Sequence, residues 1–397
     1  MIRLPEIWAA ILLTCIGIAL APMIQPAWVF ALMTVLVSGI FYFIDRTRYP
    51  AIGIGILAIL YGTGIISIVV FTGTLAIIIL GEAAFRIADR GALSYIPYII
   101  VATAASLLCM LYLNYQAPLI AVTGVIVAVL LKSALKTRQD VMMIQTLGVA
   151  MTMFLFEDLD FQVDLMLLLT AVIIAFTFGY FSYRLKAADL SGLFSGALLG
   201  ILLIVFADVR WFFIMLIFFI LGSVFTHYKF DKKTEMGVAE SHGGVRGYFN
   251  VFANGLVSVA GAVIFGVTGH PAAVALFLGS VASAAADTTA SEIGVVGKTP
   301  YLITTLKKVP RGTNGGVTLV GEVAATAASA VICICAWAMG VVDPGMALIC
   351  TVAGFVGTNA DSLIGATLEN SGKIGNAGTN FFSTLAAGIF AALFYLF

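Results

Sequence analysis

The chain has 397 residues, 61% of them hydrophobic and 10% charged, and its 20 basic and 20 acidic residues cancel. With repeated apolar runs of membrane-spanning length, that composition excludes an ordinary soluble domain and predicts an all-α, polytopic transmembrane helical bundle. No basic block or basic-aromatic tract stands out, which argues against nucleic acid as a partner.

Apolar segments run roughly over 5–23, 27–44, 51–68, 69–85, 93–113, 117–133, 139–156, 163–183, 191–207, 210–226, 248–267, 271–287, 316–340, 345–365 and 380–397. The first, Glu6 to Met23, holds an Ala19-Leu20-Ala21 triplet that imitates a cleavage site. It is long for a signal segment and runs straight into further spans, so it reads as a retained helix. Ala51 to Phe85 is long for one span and short for two, with Gly62, Gly64 and Gly73 available for a turn.

Loop charge sets the orientation. The loops Lys132 to Arg138 and Arg184 to Lys186 are basic, whereas Glu157, Asp158, Asp160 and Asp164 form an acidic loop between them. Basic loops face the cytoplasm. Alternation then places Asp208/Arg210 outside, Lys229, Lys232, Lys233 and Arg246 inside, Lys298, Lys307, Lys308 and Arg311 inside, Asp343 outside and Lys373 inside. Asp45/Arg46/Arg48 and Arg86/Asp89/Arg90 both fall inside if Ala51 to Phe85 crosses twice. The expectation is about fifteen spans (13–15) in the cell membrane, with a cytoplasmic N-terminus.

A shift in composition near Arg184 divides the chain. Residues 1–183 carry few polar residues within spans and read as a transmembrane support or oligomerisation region. Residues 184–397, where Asn, Gly, Ser, Asp and Glu recur near cytoplasmic helix ends, read as the catalytic domain. Cys15, Cys109, Cys333, Cys335 and Cys350 all lie in apolar runs without zinc or redox spacing, which favours core packing. His227, His242 and His270 are too scattered for a metal cluster.

Four polar clusters share the cytoplasmic side of this topology. They are Glu240 to Gly247 with Asn250 and Asn254, Asp287 to Glu292, Lys307 to Gly316, and Asn359 to Ser362 followed by Glu369, Asn370, Asn376 and Asn380. A carboxylate near the bilayer centre costs about 2.5–3.5 kcal/mol on insertion scales, so Asp287 and Glu292 need partners. At helical spacing Gly279, Ser283, Asp287 and Ser291 form one stripe, along which a neighbouring helix can approach closely. Glu292 lies about 140° around an ideal helix from Asp287, so a shared cavity calls for the helix to end or unwind between them.

Asp361 repeats the arrangement with Gly357 and Gly365. Two carboxylates on close-packed helices suit Mg²⁺, which takes oxygen ligands and commonly binds one or two carboxylates plus substrate phosphates. The plainer alternative is that Asp287 and Asp361 pair with Lys307, Lys308 or Arg311 to hold loops. Gly312 to Gly316, with Thr313, Asn314 and a following helix start, offer the backbone N–H groups of an anion site beside Arg311. Lys307 and Lys308 fit either that site or lipid headgroups. Asn250, Asn254, Asn359 and Asn380 are either interhelical hydrogen-bonding groups or substrate readers. Gly294-Val295-Val296-Gly297-Lys298-Thr299 imitates the end of a Walker loop, but Glu292 occupies the first glycine's place and no βαβ context exists. Ser291 and Ser241 lack a His-carboxylate pattern for a hydrolase.

ADTTASEIG, PRGTNGGVTLVG, GTNADSLIGATLEN and TNFFSTLAAG, in that order, resemble the family of membrane proteins, long without an assigned function, that includes the plant phytyl-phosphate kinase of tocopherol synthesis. The likeness covers about Asp189 to Phe397. It implies transfer of a phosphoryl group from a nucleoside triphosphate, CTP in the plant case, to an isoprenoid monophosphate, giving the diphosphate. Family motif positions fall on Asp287, Glu292, Arg311, Gly315, Gly316, Asp361, Ser362 and Asn380. Thr289 stands where relatives often have Trp, Ser291 where they have Thr, and Glu322 where a small or hydroxyl residue is usual.

The expected catalytic set is therefore Asp287, Glu292, Asp361, Lys307, Lys308 and Arg311, with Mg²⁺ on Asp287, Asp361 and Glu292. The expected substrate contacts are Arg246, Asn250, Asn254, Ser291, Thr313, Asn314, Gly315, Gly316, Asn359, Ser362 and Asn380, reached from the cytoplasm, with the prenyl tail among membrane lipid. Two rival functions fit the same composition: a CTP-dependent cytidylyltransferase making a CDP-lipid, and a transporter. A transporter calls for mid-membrane carboxylates and repeated halves, and no internal repeat is evident.

Overall fold

The computed structural model describes residues 4–43, 48–297 and 299–396, with only the backbone described at 4, 5, 241 and 242. The topology markers Asp45, Arg46 and Lys298 lie outside the described residues. The chain divides into two compact units, Met1–Leu168 and Leu169–Phe397.

The first unit is built from α1 (Leu4–Leu20), α2 (Ala27–Tyr42), α3 (Arg48–Gly62), α4 (Ile68–Leu75), α5 (Gly81–Ala88), α6 (Tyr95–Tyr112), α7 (Pro118–Ala134) and α8 (Val141–Asp158). A turn follows Gly62, with Gly64 at φ +76° and Ser67 capping α4 through the Val70 N–H. Gly73, expected as a turn candidate, instead lies inside α4, where a Cβ would stand 2.6 Å from the Met153 methyl. Its smallness serves packing rather than chain reversal. A π-turn at Ala76–Leu80 joins α4 to α5. The buried Glu82 on α5 is doubly paired, with Arg86 and Lys132 each 2.6 Å away.

α9 (Leu165–Arg184) carries the chain across the unit boundary. The second unit continues with α10 (Leu190–Phe206), α11 (Val209–His227), the short α12 (Phe230–Glu235), α13 (Tyr248–Thr268), α14 (Pro271–Gly294), β1 (Tyr301–Leu302), β2 (Gly316–Val317), α15 (Leu319–Ala338), α16 (Pro344–Ile364) and α17 (Asn376–Leu393). Asp189, Thr318 and Asp343 cap α10, α15 and α16 by accepting from backbone N–H groups of the first turn, the usual answer to orphan donors at a helix start. β1 and β2 pair antiparallel, Tyr301 opposite Val317 and Leu302 opposite Gly316, closing a hairpin between α14 and α15.

The hub is α14. It packs against α11, α13, α15, α16 and α17, and its small residues allow this. A Cβ at Gly357 on α16 would strike the Ser283 side chain, and one at Gly279 would stand 2.9 Å from the Ala391 methyl on α17. Ala282, Ser283 and Ala286 have no exposed surface. Where lipid tails are as apolar as any side chain, close backbone approach and dispersion hold helices together, so the stripe read from Gly279 to Asp287 is the seam of this unit.

Among the described residues, nine helices are long and apolar enough to cross a membrane by length and composition, beside five shorter apolar helices. α14 runs unbroken through Asp287 and Glu292 to Gly294. That corrects the expected break.

Candidate functional site

At the C-terminal end of α14 the second unit forms a cavity of about 280 Å³. All four polar clusters contribute to its wall: Glu240, Arg246, Asn250 and Asn254; Asp287, Ser291 and Glu292; Arg311 to Thr318; and Asp361, Ser362, Glu369, Asn376 and Asn380. Because the cavity wraps the helix end, Asp287 and Glu292 both border it without a break between them.

Asp287 and Asp361 meet across the α14–α16 seam, with the hydroxyls of Thr358 and Ser383 beside them. Both carboxyl-bearing residues are half-buried. Asp361 Oδ2 is itself buried and has no hydrogen-bond partner. Among the described residues, neither aspartate pairs with Lys307, Lys308 or Arg311. Two facing acidic groups, one with an orphaned oxygen, lack the compensation that Glu82 receives from Arg86 and Lys132. An uncompensated buried carboxylate is costly, so this donor set fits a cation. No three His, Cys, Asp or Glu side chains are grouped to hold a metal among the described residues.

Glu292 is treated differently. It accepts a hydrogen bond from the Lys233 ammonium, which also donates to the carbonyls of Phe225 (3.1 Å) and Thr226 (2.7 Å) and has no exposed surface. All three ammonium protons are thus used inside the protein. The short α12 places Lys233 there.

Among the described residues, two cations border the cavity. Arg311, exposed on the hairpin, donates to the Gly297 carbonyl at 2.7 Å and approaches the Met236 sulfur at 3.2 Å. Arg246, only 9% exposed, precedes α13, its guanidinium lying over the rings of Phe218 and Phe219 at 5.6 and 5.4 Å. Burial pulls its pKa down, against the opposing fields of Glu240 and Glu292. Glu240 is pushed above the usual carboxylate range by burial first and Glu292 second. Both shifts follow from charge taken out of water.

In the glycine-rich loop the Thr313 and Gly316 N–H groups are turned inward, onto the Pro310 and Thr313 carbonyls at 3.3 and 3.0 Å. Gly312 and Gly315 both sit at φ +79°. A Cβ on Gly315 would lie 2.5 Å from the Ser362 carbonyl, so only glycine lets the loop touch α16 there. Asn370 donates to the Asn314 carbonyl at 3.1 Å and fastens the loop to the π-turn after α16.

Three expected residues fall elsewhere. Lys307 and Lys308 stand exposed on the hairpin and do not line the cavity, and Asn359 turns to Glu322, donating to its Oε2 at 3.1 Å. Glu240, Glu322, Thr358, Glu369 and Asn376 join the wall beyond the expected set. For Glu240, Glu369 and Asn376 the signal was position within the polar clusters; Thr358 and Glu322 lie outside those clusters.

The helical bundle with this polar cavity defines a polytopic integral membrane protein. The chain belongs to the integral membrane protein family DUF92, whose model matches residues 173–388, all within the second unit. It is 38% identical over 173 residues to an uncharacterized membrane protein of Synechocystis, covering 42% of this chain and 67% of that one. To Protein PGR of Arabidopsis thaliana it is 33% identical over 232 residues, 52% of this chain and 80% of that protein. To the chloroplastic Protein VTE6 of the same plant it is 34% identical over 189 residues, 45% of this chain and 56% of VTE6. No solved structure matches the chain. The family resemblance read from the four motifs thus holds.

Proposed function

We propose that this protein is an isoprenoid monophosphate kinase, transferring the terminal phosphoryl group of a nucleoside triphosphate, CTP by family resemblance, to a prenyl- or phytyl-type monophosphate. The observation that carries the reading is the meeting of Asp287 and Asp361, with an orphaned oxygen, opposite a glycine loop and two arginines in one cavity. Membership of the family that includes the plant phytyl-phosphate kinase supports it.

A phosphate monoester has a second pKa of about 6, so near neutral pH the acceptor is mostly dianionic and needs no strong base. An acceptor oxygen attacks the γ-phosphorus, the bond from that phosphorus to the β-bridging oxygen breaks, and the nucleoside diphosphate leaves with the electron pair. What the protein supplies is alignment and charge neutralisation. Asp287 and Asp361 would hold Mg²⁺, with water and phosphate oxygens completing its shell. When bound, the ion offsets repulsion between the two anionic reactants. The loop Gly312 to Gly316, whose Thr313 and Gly316 N–H groups are spent on the Pro310 and Thr313 carbonyls, faces the nucleotide phosphates with Arg311, and Arg246 faces the acceptor. Glu292, held by Lys233, braces the end of α14. Lys307 and Lys308 carry no step in this scheme.

The basic loops support an active site on the cytoplasmic face of the cell membrane and about fifteen spans with the N-terminus inside. Residues 1–183 then serve as support or an oligomerisation region.

The test is product analysis with purified protein, phytyl monophosphate, Mg²⁺ and CTP labelled at either the α- or γ-phosphate. The γ-label should appear in the lipid diphosphate with release of CDP. Transfer of the α-label with release of pyrophosphate would overturn the kinase reading in favour of a cytidylyltransferase.

A further inference from the structure

A second cavity of about 100 Å³ lies between α9, α10, α11 and α13, walled by apolar and glycine positions such as Phe178, Gly179, Gly196 and Phe219. It shares Arg246, Asn250 and Asn254 with the polar cavity. The two spaces therefore meet at a cation that is nine-tenths buried. Among the described residues, no carboxylate forms an ion pair with the Arg246 guanidinium, and aromatic rings cover it on the groove side.

The glycines of α10 divide by role. A Cβ on Gly192 would strike the Arg246 carbonyl and one on Gly200 would stand 2.9 Å from the Phe212 ring, so both serve close packing. A Cβ on Gly196, on the same helix face between them, would meet no atom within 4 Å. That glycine leaves open an apolar space which packing alone does not require to be open.

Resting on the kinase reading, we propose that this groove receives the head-proximal isoprene units of the acceptor while Arg246, at its junction with the polar cavity, grips the acceptor phosphate. An amphiphile with a phosphomonoester head and an apolar chain matches both halves of the observation: a buried cation without an ion-pair partner beside a mostly apolar wall, whose polar side chains Ser182, Asn250 and Asn254 are few. A nucleotide matches only the first. The class of ligand is thus a phosphomonoester lipid, of which a prenyl monophosphate and a resident phosphatidic acid are two sources.

Gly196→Leu fills the groove without touching the polar cavity. With intact full-length protein, the ratio of kcat/KM for phytyl monophosphate to that for the five-carbon dimethylallyl monophosphate should fall at least about tenfold, since the phytyl chain loses burial beyond its first isoprene unit and the shorter acceptor has only that one unit to lose. Binding of phytyl monophosphate without nucleotide should weaken in Gly196→Leu, and in Arg246→Gln, while each variant's melting temperature identifies misfolding. Gly196→Ala, a smaller plug, supplies a graded effect should the leucine fail to fold. An unchanged chain-length ratio, or unchanged binding in Gly196→Leu, overturns the assignment, as does phosphatidic acid binding as well as phytyl monophosphate. If no acceptor is phosphorylated, the kinase reading falls, and the nucleotide-free binding comparison still decides whether the groove takes the lipid.

Discussion

On α14, Glu292 ends against an ammonium and Asp287 ends against another carboxylate. The first arrangement is a closed structural pair; the second asks for a cation from outside. Removing one partner of a buried pair strands the other, which typically costs about 3–5 kcal/mol, so Lys233→Met should lose about that much stability. Lys233→Met combined with Glu292→Gln should regain much of it. Chemical denaturation in detergent checks this, and a Lys233→Met protein as stable as the parent would show the pair to be idle. Asp287 and Asp361 were legible in the sequence because ionised residues in apolar runs have few innocent explanations. Lys233 was not, because beside Lys229 and Lys232 it looks like any solvated, membrane-flanking lysine, and only the turn of α12 beneath α11 buries it. Asn359 misled in part: it does not line the cavity itself, and its amide goes to Glu322, a residue of the same cavity wall.

At the scale of elements, the glycine loop is where backbone shape carries function. Gly315→Ala would force a non-glycine residue to φ +79°, a cost of about 1–2 kcal/mol, and press its methyl against the Ser362 carbonyl and Ala366. The loop should shift, with kcat/KM for the nucleotide falling by about 10–100-fold. Gly372→Ala, at φ +71° and with its added Cβ meeting open space, is the matched control. Steady-state kinetics on both variants separates a general glycine effect from one of this loop. PRGTNGG announced such a loop, yet nothing announced the hairpin that carries it, since a two-residue ladder is too short to show period-two alternation. The expected break in α14 rested on the 140° between two carboxylates, and assumed a cavity on one side of the helix. A cavity around the helix end removes that requirement.

Over the whole molecule, composition and apolar runs made the helical membrane fold readable, because burial in lipid leaves helices as the simplest way to satisfy the backbone. How the polar clusters assemble was readable only as a shared topological side; their common cavity depends on the glycine and serine seam that lets α14, α16 and α17 close upon one another. The central claim is that the two aspartates of this seam hold a divalent cation between two phosphate-bearing reactants. The most direct measurement is the rate of γ-phosphate transfer from CTP to phytyl monophosphate by purified protein, stripped with EDTA and titrated with Mg²⁺, for the parent and Asp361→Asn. The parent should be silent without metal and recover with it, and Asp361→Asn, folded by its melting temperature, should be slower by about 10²–10³-fold, the usual scale for losing one transition-state electrostatic contact. Metal-independent transfer, or an Asp361→Asn rate equal to the parent's, would contradict the account.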